Sequence, residues 1–212
     1  MISLSAPLKE PVILLANGEF PVHHLSKYLL DNSETIICTD GATDKLIKYG
    51  LEPTVTIGDL DSTKLSEHES PGLWVPAQDQ NKTDLQKALD WCIINNITEI
   101  TILGAGGIRE DHALGNLHIL AEYQGMVELK MVTNHATINC EQGNRIISSQ
   151  PGQAISIIAI HPVESITVSG LKYPMVNQRL LPSSRAICNE ALNHEFLLDT
   201  SDPVWLFMNH TD

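Results

Sequence analysis

The run Thr35-Ile36-Ile37-Cys38-Thr39-Asp40-Gly41-Ala42-Thr43-Asp44-Lys45-Leu46-Ile47-Lys48-Tyr49 decides how the chain is read. Its first five residues form a short apolar stretch of the kind that makes a buried strand, and Ala42 to Tyr49 carries apolar positions at helical spacing. Asp40 and Gly41 stand at the junction. The same pattern recurs along the first 125 residues or so. Val12–Ala16, Thr54–Ile57 and Ile100–Leu103 read as further buried strands, and His23–Leu30, Asp84–Asn95 and Glu110–Tyr123 as amphipathic helices. Strands alternating with helices predict a parallel sheet with crossover connections.

After Met131 the texture changes. Ala154–Ile160 and Ser165–Val168 are β-rich and are punctuated by Pro151, Gly152, Pro162 and Gly170, which fits a small antiparallel β-sandwich. At 212 residues the chain is long enough for two domains. The expected fold class is therefore α/β, with an N-terminal parallel-sheet domain over 1–128 and a smaller C-terminal β-sandwich over 129–212, the boundary falling within 125–135.

Charge and cysteines remove several function classes. Thirteen basic against 26 acidic residues leave a formal charge of −13, which opposes nucleic acid and anionic lipid as partners. A metal can still bridge such a chain to a polyphosphate, and a cationic substrate is attracted. Cys38, Cys92, Cys140 and Cys188 form no Cys-x-x-Cys pair, so neither a zinc knuckle nor a redox motif is expected. Val12–Ala16 is too short to span a bilayer, and Lys9, Glu10 and Pro11 make a poor signal-peptide start, so a cytoplasmic protein is expected.

Ligands of an open parallel sheet sit beyond the carboxyl ends of its strands, so the residues just past each strand matter most. Asn17-Gly18 comes after the first, Asp40-Gly41 after the second and Gly58-Asp59-Leu60-Asp61-Ser62 after the third; Gly104-Ala105-Gly106-Gly107, Arg109 and Asp111 come after Ile100–Leu103. Carboxylates and a glycine-rich turn on one edge suit a hard cation holding phosphate oxygens. Asp59 and Asp61 are two apart and share a side if the segment is extended. Taken singly, each Asp-Gly or Gly-Asp pair is an ordinary turn former; the agreement of three strand ends favours the metal. Thr83 and Gln86 are spaced as a capping box, placing Asp84 in the first turn of its helix. Arg109 stands where a dinucleotide fingerprint needs its third glycine, and no Walker lysine pattern exists. Arg109 can fork around phosphate oxygens or make a surface ion pair with a nearby acid.

Taken in order, Asn17-Gly18, Asp40-Gly41-Ala42, Gly58-Asp59-Leu60-Asp61-Ser62, Thr83-Asp84 and Arg109-Glu110-Asp111-His112 with Asn116 resemble the thiamine pyrophosphokinase family. Gly170-Leu171-Lys172-Tyr173-Pro174 and Cys188-Asn189-Glu190 look like its vitamin-binding segment. The resemblance implies an enzyme that uses Mg2+ and ATP to pyrophosphorylate thiamine, working as a homodimer with the vitamin between subunits. It implies that Asp40, Asp59, Asp61 and Asp84 serve the metal, with Asn17, Gly18, Asp40, Gly41, Gln80, Thr83 and Arg109 around ATP. Asp61, Asp84, Arg109 and Asp111 are the candidate catalytic residues, either Asp61 or Asp84 accepting the hydroxyl proton. Cys188 and Asn189 would face thiamine. Cys188 stands where the family often has serine, and Ile108 where it often has glycine.

Overall fold

The computed structural model describes residues 8–59 and 71–211. The chain divides into two units, 1–134 and 135–212.

In the first unit, six strands form a parallel sheet: β1 (Val12–Leu15), β2 (Ile36–Thr39), β3 (Val55–Gly58), β4 (Leu73–Pro76), β5 (Glu99–Leu103) and β6 (Glu128–Val132). Their spatial order is β6-β5-β1-β2-β3-β4. In register, Ile13 lies beside Ile36 on one side and Thr101 on the other. β1, β2 and β3 are buried at every position because helices cover both faces. The helices are α1 (His24–Asp31), α2 (Asp40–Tyr49), α3 (Asp84–Ile94) and α4 (Glu110–Glu122), each within two residues of its sequence-predicted span. On one face Ile13, Leu15 and Ile36 pack with Leu30 of α1 and Leu46 of α2. α2 ends at Gly50, whose φ of 101° gives the left-handed turn that glycine makes without steric cost. Asn134 fixes the start of α1, since its Oδ1 accepts from the Val22 and His23 amides and from Ser26 Oγ.

Two strands of this sheet were not expected. β4 is a half-exposed edge ending in Pro76, and β6 opens with exposed Glu128 and half-buried Lys130, so neither has the wholly apolar signature. β6 pairs in parallel with β5 from Glu99↔Glu128 to Leu103↔Val132. The division at 134 lies within the 125–135 window and after 128, because the strand that straddles residue 128 hydrogen-bonds into the first sheet.

The second unit is antiparallel. β7 (Ala136–Ser148), β8 (Ala154–Ala159), β9 (Val163–Ser169), β10 (Met175–Leu180), β11 (Asn189–Glu190) and β12 (Glu195–Asn209) follow in order. β12 organises them. Leu197–Thr200 pairs with β9, Val204–Met208 pairs with β8, and β7 runs along both halves. A register shift between Thr200 and Val204, where Pro203 withholds an amide, lets one strand serve both neighbours. Ile155, Ile157, Ile166, Val168, Phe196, Leu198 and Leu206 form its core. Trp205 is buried in β12, as a tryptophan in an apolar strand usually is. Among the described residues no helix is long and apolar enough to cross a membrane.

Candidate active site

Strand order reverses between β1 and β5, and the loops leaving their carboxyl ends are stitched together there. The Gly18 amide donates to the Gly104 carbonyl at 2.6 Å and the Glu19 amide to that of Gly106 at 2.8 Å. At this crevice lies a cavity of about 990 Å³, to which the ends of β1, β2, β3 and β5 and the first turns of α3 and α4 contribute. Asn17, Gly18, Asp59, Gln80, Thr83, Asp84, Arg109 and Asp111 all line it, so most of the sequence-predicted set converges.

Close packing behind the wall explains two glycines. A Cβ on Gly41 would stand 2.1 Å from Nδ2 of Asn17, so only glycine lets that side chain lie across the start of α2. A Cβ on Gly58 would stand 2.3 Å from Cβ of Asp40. Asp40, the first residue of α2, is fully buried against the end of β3 and does not belong to the cavity wall.

The carboxylates thus divide. Asp59 faces the cavity and Gln80 Nε2 donates to its Oδ2 at 3.4 Å. Thr83 caps α3 in the expected capping box, with the Gln86 amide donating to Thr83 Oγ1 and the Thr83 amide to Gln86 Oε1. That cap sets Asp84 in the first turn, where Lys87 Nζ donates to its Oδ1 at 2.9 Å. Asp61 lies outside the described residues. Among the described residues no three of His, Cys, Asp and Glu close into a metal site; the expected set of Asp40, Asp59, Asp61 and Asp84 includes Asp61, which lies outside them. Asp59 and Asp84 still fit a small hard cation, which usually takes one or two protein carboxylates and completes its shell with phosphate oxygens and water.

Arg109 and Asp111 form a two-point ion pair, Nε to Oδ1 at 3.0 Å and Nη2 to Oδ2 at 2.5 Å, both side chains being exposed. The bonds from Arg109 hold the Asp111 carboxyl below its ordinary pKa, and Asp111 raises that of Arg109. Of the two uses the sequence left open for Arg109, the ion pair is the one formed here. His112 and His118 also line the cavity, although nothing in their spacing singled them out. Asn116 Nδ2 donates to the Ala105 carbonyl at 2.7 Å and braces the glycine-rich turn.

Sequence reading missed Lys45. From the second turn of α2 its ammonium donates to the carbonyls of Asn17 at 2.9 Å and Gly18 at 2.8 Å. Desolvation lowers its pKa. No motif flags this lysine, because its partners are backbone atoms of a distant loop.

In the second unit, Asn189 is buried and its amide is committed to a neighbouring strand end. Its Oδ1 accepts from the Tyr173 amide at 3.0 Å and its Nδ2 donates to the Tyr173 carbonyl at 2.8 Å. Both residues line a cavity of about 230 Å³, and the Tyr173 side chain is exposed. Cys188 adopts φ 56°, is exposed, and donates its amide to Ser156 Oγ.

Residues 26–132 match the family model described as thiamin pyrophosphokinase, catalytic domain, and residues 135–205 match the one described as thiamin pyrophosphokinase, vitamin B1 binding domain. Thiamine pyrophosphokinase of Bacillus subtilis (strain 168) is 28% identical over 188 residues, 83% of this chain and 87% of that protein. Thiamin pyrophosphokinase 1 of Caenorhabditis elegans is 25% identical over 185 residues, 80% and 76% of the two chains. The crystal structure of the Bacillus subtilis protein superposes with a TM-score of 0.77 at 26% identity, covering 95% of this chain and 99% of that one. The yeast structure, at 17% identity and a TM-score of 0.78, shares the fold. With the catalytic-domain match alone spanning half of its length, this chain belongs to the thiamin pyrophosphokinase family.

Proposed function

We propose that the chain transfers the pyrophosphoryl group of ATP to the hydroxyl of thiamine, giving thiamine diphosphate and AMP, in the cytoplasm and as a homodimer with thiamine held between subunits. The observation that carries this reading is the meeting of Asp59, Asp84 and the Gly104–Gly107 backbone at one strand-end cavity. It is the arrangement a polyphosphate with a hard cation requires. Magnesium, when bound with ATP, would neutralise phosphate oxygens.

The reacting hydroxyl oxygen forms a bond to the β-phosphorus, and the bond from that phosphorus to the bridging oxygen breaks, AMP leaving with the electron pair. The hydroxyl proton passes to a carboxylate, Asp84 or Asp61. Asp59 and Asp84 would hold the cation, which would supply charge neutralisation to the phosphate chain, and Gln80 steadies Asp59. Arg109 exchanges its Asp111 partner for phosphate oxygens, an exchange made easy by the exposure of both side chains. Asp40 supports the loop end from beneath. Catalysis of this kind is chiefly positioning and charge neutralisation. In the second unit, Asn189 shapes the vitamin-facing wall through Tyr173, beside Cys188.

Incubating the purified chain with ATP, magnesium and thiamine tests the proposal. AMP and thiamine diphosphate are expected in equal amounts without ADP. Production of ADP and thiamine monophosphate would overturn it.

A further inference from the structure

Among the described residues four cations, Lys45, Lys82, Lys87 and Arg109, line the cavity of the first unit, and three of them face a carboxylate. Lys82 meets Asp90 at 2.5 Å, Lys87 meets Asp84 at 2.9 Å and Arg109 meets Asp111 at 2.5 Å. Lys45 is the exception: among the described residues no carboxylate pairs with it, and desolvation lowers its pKa. Two of its three N–H groups are spent on the Asn17 and Gly18 carbonyls, and the third has no acceptor among the described residues. A half-buried ammonium with no counter-charge among the described residues is costly to hold, in a chain of formal charge −13. Lys45 lines the cavity at the crevice where β1 and β5 part, the position at which such sheets take phosphate.

We infer that Lys45 is a phosphate-binding residue of the nucleotide site, its third N–H reaching the phosphate chain of ATP while the other two hold the Asn17–Gly18 loop in place. The inference rests on the function proposed above. Two jobs on one ammonium explain why no carboxylate among the described residues pairs with it: a resident acid would compete with the ligand for the remaining donor and repel its charge. Lys45 thus couples the shape of the β1 loop to occupancy of the site.

The test compares affinities of the full chain for magnesium-ATP, AMP and adenosine by titration calorimetry, in wild type, Lys45→Gln and Lys45→Arg. Gln keeps a donor for the loop carbonyls and removes the charge; Arg keeps the charge. Lys45→Gln should weaken magnesium-ATP by about tenfold or more, the scale of a lost charge-assisted hydrogen bond, and leave adenosine unchanged. Lys45→Arg should restore most of the preference for ATP over adenosine. A loss shared by AMP places the contact at the α-phosphate, and a loss confined to ATP places it further along the chain. An equal loss on all three ligands, or no loss on any, would overturn the inference and leave Lys45 as a loop clamp. Wild type failing to bind ATP would instead sink the proposed function, a separate outcome.

Discussion

The two units build their candidate surfaces by opposite means. In 1–134 every strand of the sheet is parallel, so the loops after β1, β2, β3 and β5 emerge at the same edge and residues far apart in sequence meet there. In 135–212 the strands are antiparallel, their ends alternate between two edges, and Asn189 and Tyr173 are joined by a local two-point clamp instead. The contrast teaches where a single substitution acts. In the first unit it should change chemistry or nucleotide binding; in the second it should change the fit of one small ligand.

The largest expected effect breaks the first half of the contrast if it is wrong. Asp59→Asn keeps shape and removes a charge from the cavity, and kcat should fall by about a hundredfold or more, the scale of a lost transition-state charge contact. Steady-state kinetics with a parallel melting curve checks this. Near-normal turnover would mean that Asp59 is a turn former and that the chemistry lies elsewhere.

Gly41→Ala asks whether the wall behind the cavity matters. The added Cβ would stand 2.1 Å from Asn17 Nδ2, so the asparagine must move. Overpacking of this kind costs about 1–3 kcal/mol, which a urea unfolding curve reads. The KM for ATP should rise and that for thiamine should hold. Equal rises in both would erase the division of labour between the units.

Asn189→Ala sharpens the other half. It removes both bonds to the Tyr173 backbone, and the KM for thiamine should rise by about tenfold, as expected for the loss of a buried hydrogen-bonding group, with that for ATP unchanged. An unaltered thiamine KM would move the vitamin away from this segment.

The smallest effect concerns thiols. Burial pushes Cys38 and Cys92 up to about 12 and Cys140 up to about 11, whereas Cys188 is exposed. Native protein treated with an alkylating reagent at pH 8 should take its first label at Cys188, as intact mass and peptide mapping would show. First labelling at Cys140 would contradict the exposure seen in the second unit.

Legibility in sequence runs along the same line as the contrast. β1, β2, β3 and β5 could be read because helices bury both their faces and leave uninterrupted apolar runs, and the Thr83 cap could be read because its partners are three residues apart. β4 and β6 could not, since a half-exposed edge and a mixed strand carry no such run. Among site residues, Asp59, Gln80 and Asp84 were legible from their positions after strands and at a helix start. The burial of Asp40 was not, because it depends on the room Gly58 leaves, and Lys45 was not, because its partners are carbonyls. The bonds of Asn189 to the Tyr173 backbone were not legible either, because they join residues 16 apart in sequence.

The bond from Gly18 to Gly104 has a consequence for how the cavity comes into being. It ties the first strand to the fifth, with β2, β3 and β4 formed by the stretch of chain between them. Such a closure is a long-range contact, and long-range contacts are slow to form during folding. A chain emerging from the ribosome holds β1 through β4 before it holds any nucleotide pocket, and a fragment stopping at Asn95 would keep those strands yet have no β5 to complete the floor. Nucleotide binding is therefore a late event that reports a finished sheet. Bound ATP would in turn slow the opening of that seam, so hydrogen exchange at the Gly18 and Glu19 amides becomes a direct gauge of whether the site is whole.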